Sequence, residues 1–173
     1  MKSFIFFLLF SMTSAWAVAQ NNLMPQFDNV PYFYEDSTKP LKEVERAQYR
    51  FQTREKGMYG TQSVIIVPGP QAKTRYSINQ PLAFVVRFSD ARTRPDGLIR
   101  LVAFTINEKK KQREYVFQTA GVGHAETQDG SLPITFKTLG PGLYLITLNE
   151  KPAAGEYALV LDKVQEGYVF GIE

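Results

Sequence analysis

The chain carries one histidine, His124, set in the stretch Gly121-Val-Gly-His124-Ala-Glu126-Thr-Gln-Asp129-Gly-Ser131. Any serine–histidine–aspartate apparatus must run through it, because no other imidazole is present to act as the base. Asp129 and Ser131 share its loop. A triad also needs a strained nucleophile turn and an oxyanion hole, and no Gly-x-Ser-x-Gly occurs. His124 therefore reads as an exposed loop residue. On an extended stretch His124 and Glu126 would face one way. Two ligands fall short of the three or four that a zinc site needs, and His-Glu-x-x-His requires a second histidine. Gly121 and Gly123 lack the glycine-rich turn and helix of a dinucleotide site, and no Gly-Lys-Ser/Thr phosphate loop exists. There is no cysteine. Thiol catalysis, disulfides and cysteine-ligated zinc are excluded with it. The residues assign no catalytic group, no cofactor and no metal.

Other chemistry has less to mark it. Glycoside hydrolysis needs two carboxylates across a cleft, and the 17 acidic residues show no pair set apart by spacing. The densest positive cluster is Lys109-Lys110-Lys111 with Arg113. It belongs to the expected tip of a hairpin, where charge keeps a turn solvated. Arg92 and Arg94 are balanced by Asp90 and Asp96. Tyr32 and Tyr34 would share one face of a strand and could form a stacking platform for a sugar; half-buried aromatics of a peripheral strand are the commoner outcome.

These residues must be positioned by a domain that 173 residues are long enough to build around a core of its own. The net charge is +3, or +2 without Lys2, too weak a field to argue for a nucleic-acid partner. Nine Tyr and thirteen Phe, with ten Pro and twelve Gly, favour short strands over long helices. Residues 1–19 read as a signal peptide. Lys2 is a minimal charged region, Phe4–Phe10 an apolar run too short to span a bilayer, and Ala17-Val-Ala19 a small-x-small cleavage site. The expected mature chain starts at Gln20, with no transmembrane segment left after cleavage. Without a cysteine at the cleavage point it is not a lipoprotein. The expected location is the periplasm or the extracellular space.

After a flexible lead-in over 20–29, residues 30–173 read as a single β-sandwich domain. Strands are expected at 30–34, 41–54, 61–67, 82–88, 98–107, 113–119, 134–138, 143–148, 155–161 and 168–172. Over 41–54 a short helix also fits the charge pattern, but Ala47, Tyr49 and Phe51 alternate with polar residues and favour the strand. Leu82–Phe88 is apolar nearly throughout and reads as central. Residues 98–119 form a hairpin about Glu108–Gln112, and Gly121–Ser131 a polar loop. Gly142–Leu148 and Gly155–Leu161 share one pattern and read as neighbouring strands of one sheet. About nine or ten short strands separated by turns imply an all-β, antiparallel β-sandwich, immunoglobulin-like or related. In such sandwiches a tyrosine after a turn hydrogen-bonds back to the upstream backbone, and Tyr157, following Pro152, has roughly that spacing; a core tyrosine with a solvated hydroxyl is the equal alternative.

The ending Gly155-Glu-Tyr-Ala-Leu159, followed by Val169-Phe-Gly-Ile172, resembles the C-terminus of a group of uncharacterised bacterial exported proteins. Those end in a Pro-Gly-Glu-Tyr-Ala-Leu strand and a Phe-Gly-Ile/Val-Asp strand. Here Ala154 replaces the proline and Glu173 the final aspartate. The resemblance implies an exported all-β domain and carries no activity. The expectation is an exported, non-catalytic binding or structural module of the cell envelope or extracellular space, with an envelope protein or a glycan as partner. The alternative is an exported hydrolase, for example a carboxylate-dependent glycoside hydrolase, or a glycan-binding module.

Overall fold

The computed structural model describes residues 23–57, 60–121, 124–127, 130–161 and 166–173. The leader and its cleavage site lie outside the described residues, as does Asp129. In chain order the strands are β1 (Tyr32–Phe33), β2 (Lys42–Glu43), β3 (Glu45–Gln48), β4 (Arg50–Lys56), β5 (Gly60–Pro68), β6 (Arg75–Tyr76) and β7 (Ala83–Arg87). After a single 3₁₀ turn at Pro95–Gly97 come β8 (Ile99–Asn107), β9 (Gln112–Gly121), β10 (His124–Thr127), β11 (Ser131–Leu132) and β12 (Ile134–Gly140). Last are β13 (Leu143–Leu148), β14 (Gly155–Leu161) and β15 (Glu166–Ile172). The fold is all-β, with two antiparallel sheets in a sandwich-like class, as the alternating sequence implies; the parallel pairing of β6 with β15 is the exception.

The chain divides into two compact units. The smaller comprises residues up to Glu43 with 82–93 and 137–146. Its sheet has the order β12-β13-β7-β1-β2, of which β12 and β13 run on beyond the unit. The apolar β7 is central, with Phe84, Val85 and Val86 fully buried. Phe33 meets Phe84 edge-on at 6.0 Å. The N-terminal end is tied to β7: the Asn29 N–H donates to the Arg87 carbonyl at 2.7 Å, and Arg87 pairs with Asp28. The β12–β13 turn needs a glycine. Gly142 has φ +67°, and a Cβ there would lie 2.8 Å from the Phe88 carbonyl oxygen.

The larger unit holds residues 44–81, 94–136 and 147–173. Its principal sheet has the order β3-β15-β14-β8-β9-β5-β4. The two ends of that path, β3 and β4, are consecutive in the chain and are joined through Tyr49 alone. Counting residues 45–56 as one bent strand, the path returns on itself as a six-stranded antiparallel barrel, joined between β8 and β9 by Thr105–Asn107. A second corner falls in β8. Its first part, to Phe104, pairs with β14, and Thr105–Asn107 pair with β9. Strands that change sheets at a bend are the usual corners of such packings.

The expected hairpin of β8 and β9 is present, with Asn107 opposite Gln112. Residues 41–54 are strand, in pieces separated at Val44 and Tyr49. Two expectations are corrected. β13 and β14 lie in different sheets; the neighbours of β14 are β15 and β8. Their shared pattern reports a buried face, not a shared partner. Within the loop expected over 121–131, β10 pairs with the end of β9, Ala125 opposite Ala120.

β14 and β15 form the hairpin at the centre of this unit, with Tyr157 opposite Phe170 and Leu159 opposite Tyr168. Phe170 is fully buried; Tyr157 stacks on it at 5.8 Å and 19°, and Tyr76 packs at 5.6 Å. The Tyr157 hydroxyl donates to the Ala153 carbonyl at 2.8 Å, so the corner tyrosine is realised. Removing a packed phenylalanine costs about 3–5 kcal/mol, a large share of a domain's roughly 5–15 kcal/mol. Phe170→Ala should lower the thermal melting midpoint by many degrees; a midpoint within a degree or two of the parent would mean that the hairpin is peripheral.

Candidate functional site

Alternation decides what faces into the barrel. On β14 the inward residues are Glu156, Ala158 and Val160; on β9 they are Arg113, Tyr115 and Phe117. The apolar members pack in one cluster with Tyr49, Ile65, Val67, Val102, Phe104 and Val169. Gly167 lies against the Tyr49 ring, where a Cβ would sit at 3.6 Å, an ordinary contact distance.

One level of the interior is charged. Arg113 is 2% exposed and Glu156 3%. Arg113 Nη1 donates to Glu156 Oε2 at 3.4 Å, its Nε to the Gly69 carbonyl at 3.1 Å and its Nη2 to the Pro68 carbonyl at 3.3 Å. The guanidinium lies 6.0 Å from the centre of the Phe104 ring. Glu156 Oε2 also accepts the Ala72 N–H at 2.7 Å, while Arg75 Nη1 pairs with Oε1. Arg75 Nε reaches Glu173 at 3.1 Å. Glu45 accepts the N–H groups of Lys73 and Thr74. Together these groups hold the chain between β5 and β6 across the barrel. Burial pulls the Arg113 pKa down, and Glu156 and Glu45 act against that; an arginine starts so high that it stays ionised. Both oxygens of Glu156 accept hydrogen bonds and the residue is buried, so its carboxylate is engaged in the fold rather than presented to a substrate. A Cβ on Gly171 would lie 1.7 Å from Arg75 Nη1, so a larger residue there must displace the guanidinium.

The other level is apolar and open. From Glu156 to Val160 is four residues, about 13 Å along the strand. There a cavity of about 160 Å³ is lined by Tyr49, Phe51, Tyr115 and Phe117, with Ile65, Val102 and Val160 behind and Arg100 beside them. It opens where β8 and β9 part. β9 stays paired with β5, whereas Val102 and Leu101 pair with β11 instead of β9. The β5–β9 pairing shifts register here: Ser63 faces Gln118 and Val64 faces Val116, so Phe117 is an extra residue on β9, and such a bulge adds local twist beside this gap. The rings meet edge-to-face, Tyr49 to Phe51 at 5.3 Å and Phe51 to Phe117 at 5.8 Å. Phe51 is 54% exposed, so a large apolar side chain stands at the rim. None of the described lining residues is acidic. A wider depression of about 600 Å³ involves Arg50, Gln52, Lys110 and Gln112, and shares Phe51. Its charged members are exposed and long, so they impose little shape of their own.

On the outward side of β9, Glu114 is buried and accepts from Arg54 at 2.7 Å, Gln112 at 2.7 Å and Asn107 at 2.9 Å. Burial alone would raise its pKa; the bonds from Gln112, Arg54 and Asn107 outweigh it and hold the carboxyl below its usual range.

The residues singled out in the sequence do not converge. His124 lies in β10 opposite Gly121, and Ser131 in β11 opposite Val102, so they occupy separate strands rather than one loop. Glu126 lies opposite Thr119. Lys109, Lys110 and Lys111 are exposed as expected, but Arg113 is not part of a solvated tip; it is the buried cation of the barrel. Arg94 pairs with Asp96 at 2.8 Å on the surface. Tyr32 is buried, so Tyr32 and Tyr34 present no joint stacking platform. The sequence reading missed Tyr115, Phe117 and Arg100. Their alternation with Tyr49 and Phe51 as a shared barrel face was the available signal. No protein-family model matches this chain, and no curated protein or solved structure matches it either.

The charged level yields a thermodynamic test. Gly171→Ala must displace the Arg75 guanidinium and so break its pair with Glu156. Arg75→Ala removes the same pair directly. Each single variant should be destabilised. The double variant should cost little more than the worse single, with a coupling energy of at least about 1 kcal/mol in denaturant melts. Strict additivity would show that Gly171 and Arg75 do not share one interaction.

Proposed function

We propose that this chain is an exported, non-catalytic binding module of the cell envelope or extracellular space, related to the exported all-β proteins that its ending resembles. One observation carries the reading. The buried Arg113 and Glu156 are engaged by one another and by backbone groups, while the cavity walled by Tyr49, Phe51, Tyr115 and Phe117 has no acid among its described lining residues. Carboxylate-dependent hydrolysis requires the reverse, two acids facing an open cleft. Glu45 and Glu156 both accept backbone N–H groups of the chain between β5 and β6 and so are engaged in holding it. No helix among the described residues is long and apolar enough to cross a membrane.

Fractionation of producing cells tests both halves. The protein should be recovered in the periplasm or medium with an intact mass beginning at Gln20. It should co-sediment with envelope material and leave envelope polysaccharides uncleaved. A mass that retains residues 1–19 contradicts export. Cleavage that disappears in Glu45→Gln or Glu156→Gln contradicts the non-catalytic reading and establishes the hydrolase.

A further inference from the structure

The cations of the larger unit fall into two sets. Arg46, Arg54, Arg75 and Arg94 each pair with a carboxylate. Arg50, Lys109, Lys110 and Lys111 are exposed and form no ion pair among the described residues. The register accounts for Arg50. It lies opposite Ile66 on β5, and Ile66 lies opposite Glu114 on β9. Glu114 is therefore the acid in its row, and Arg54, Gln112 and Asn107 occupy that carboxylate. The lysines are presented by a turn with a fixed backbone. The Lys110 N–H donates to Asn107 Oδ1 at 3.1 Å, and the Lys111 carbonyl accepts from the Gly69 N–H at 3.1 Å. Glu108 is the one acid in the turn 108–111, so cations outnumber acids there.

Arg50 and Lys110 both line the depression of about 600 Å³, together with Phe51, Gln52 and Gln112. That volume lies within the range of ligand sites, about 300–1,000 Å³. Long exposed cations select by charge rather than by shape, which suits a polymer that offers many equivalent anions. Phe51, 54% exposed, adds an aromatic face against which the C–H face of a sugar ring packs. Gln52 adds an exposed amide for hydroxyl groups. The tip from Glu108 to Gln112 is polar throughout, so it has no apolar side chain to insert into a bilayer. We infer that this basic depression binds an acidic polysaccharide, with sugar carboxylates on Arg50 and Lys110 and a sugar ring against Phe51. The assignment rests on the reading of the chain as a binding module and names the glycan class for it.

The test is a calorimetric titration of the purified protein with oligogalacturonate at low salt. Dextran oligosaccharide serves as the neutral glycan and polyglutamate as the polyanion without sugar rings. Saturable binding is expected with a dissociation constant below about 1 mM, weakening as salt is raised. Dextran and polyglutamate should each bind at least tenfold more weakly. Arg50→Gln combined with Lys110→Gln changes exposed side chains, so the double variant should melt like the parent. It should weaken oligogalacturonate at least tenfold. Arg92→Gln combined with Lys137→Gln removes the same charge from exposed positions of the smaller unit and should leave binding unchanged. Phe51→Leu keeps an apolar side chain without the ring and should cost at least threefold. Absence of saturable binding overturns the assignment. So does binding that polyglutamate matches, or that the Arg92 and Lys137 control weakens equally. Tighter binding to phosphatidylglycerol vesicles than to oligogalacturonate also overturns it, in favour of a membrane surface. If oligogalacturonate fails while the protein still co-sediments with envelope material and cleaves none of it, only the glycan class falls. If the protein shortens oligogalacturonate, the non-catalytic reading beneath it falls too.

Discussion

A guanidinium inside a narrow barrel cannot be left without partners. An unpaired buried charge costs several kcal/mol or more, and breaking one buried pair typically costs about 3–5 kcal/mol. Arg113 occupies that position, and the larger unit is arranged to satisfy it. Two of its bonds go to the carbonyls of Pro68 and Gly69, which fixes where β5 ends. A third goes to Glu156, which then binds the Ala72 N–H and Arg75. Arg75 in turn lies over Gly171, where a Cβ would displace its guanidinium. One cation thus sets the path of the chain from β5 to β6 and the charge state of the interior. Replacing such networks by apolar residues is often neutral or stabilising, so their value lies as much in a unique arrangement as in net stability.

The same constraint divides the barrel along its length. Where the arginine sits, polar groups fill the interior and hydrogen-bond one another. Toward Val160 the lining is aromatic, and the space is incompletely filled because β8 and β9 separate there. The separation follows from the bend of β8, which gives its first part to β14 and its last residues to β9. Closure through the bent strand 45–56 brings Tyr49 and Phe51 to the same opening from the other side. The aromatic cavity at the mouth is thus a product of the two corners that close the sheet.

Much of this was legible in the sequence. The alternation of Tyr157, Leu159 and Leu161 with that of Tyr168, Phe170 and Ile172 announced a buried hairpin, because a period of two reports one face directly. For Tyr157 the sequence left a corner bond and a solvated hydroxyl as equal readings, and the bond to Ala153 decides between them. What alternation cannot report is which strand lies beside which. β13 and β14 carry the same pattern and belong to different sheets. Nor does contiguity report burial: Arg113 sits two residues beyond three lysines and has the opposite fate. Its parity was the better guide, since position 113 shares a face with Tyr115 and Phe117. The strand at 124–127 was hidden because its pairing to β9 fixes it, whereas its own residues are polar and small.

Hydrogen exchange at the Ala72 amide tests the central dependence most directly. That N–H lies in a loop, outside any strand, and its partner is the carboxylate of Glu156. If the buried pair pins the loop, the Ala72 amide should be protected nearly as strongly as Val169 in the core of β15, and Arg113→Met should abolish the Ala72 protection while Val169 stays protected. Exchange at Ala72 as fast as in an ordinary exposed loop would contradict the account, because the loop would then be held by nothing that the arginine controls.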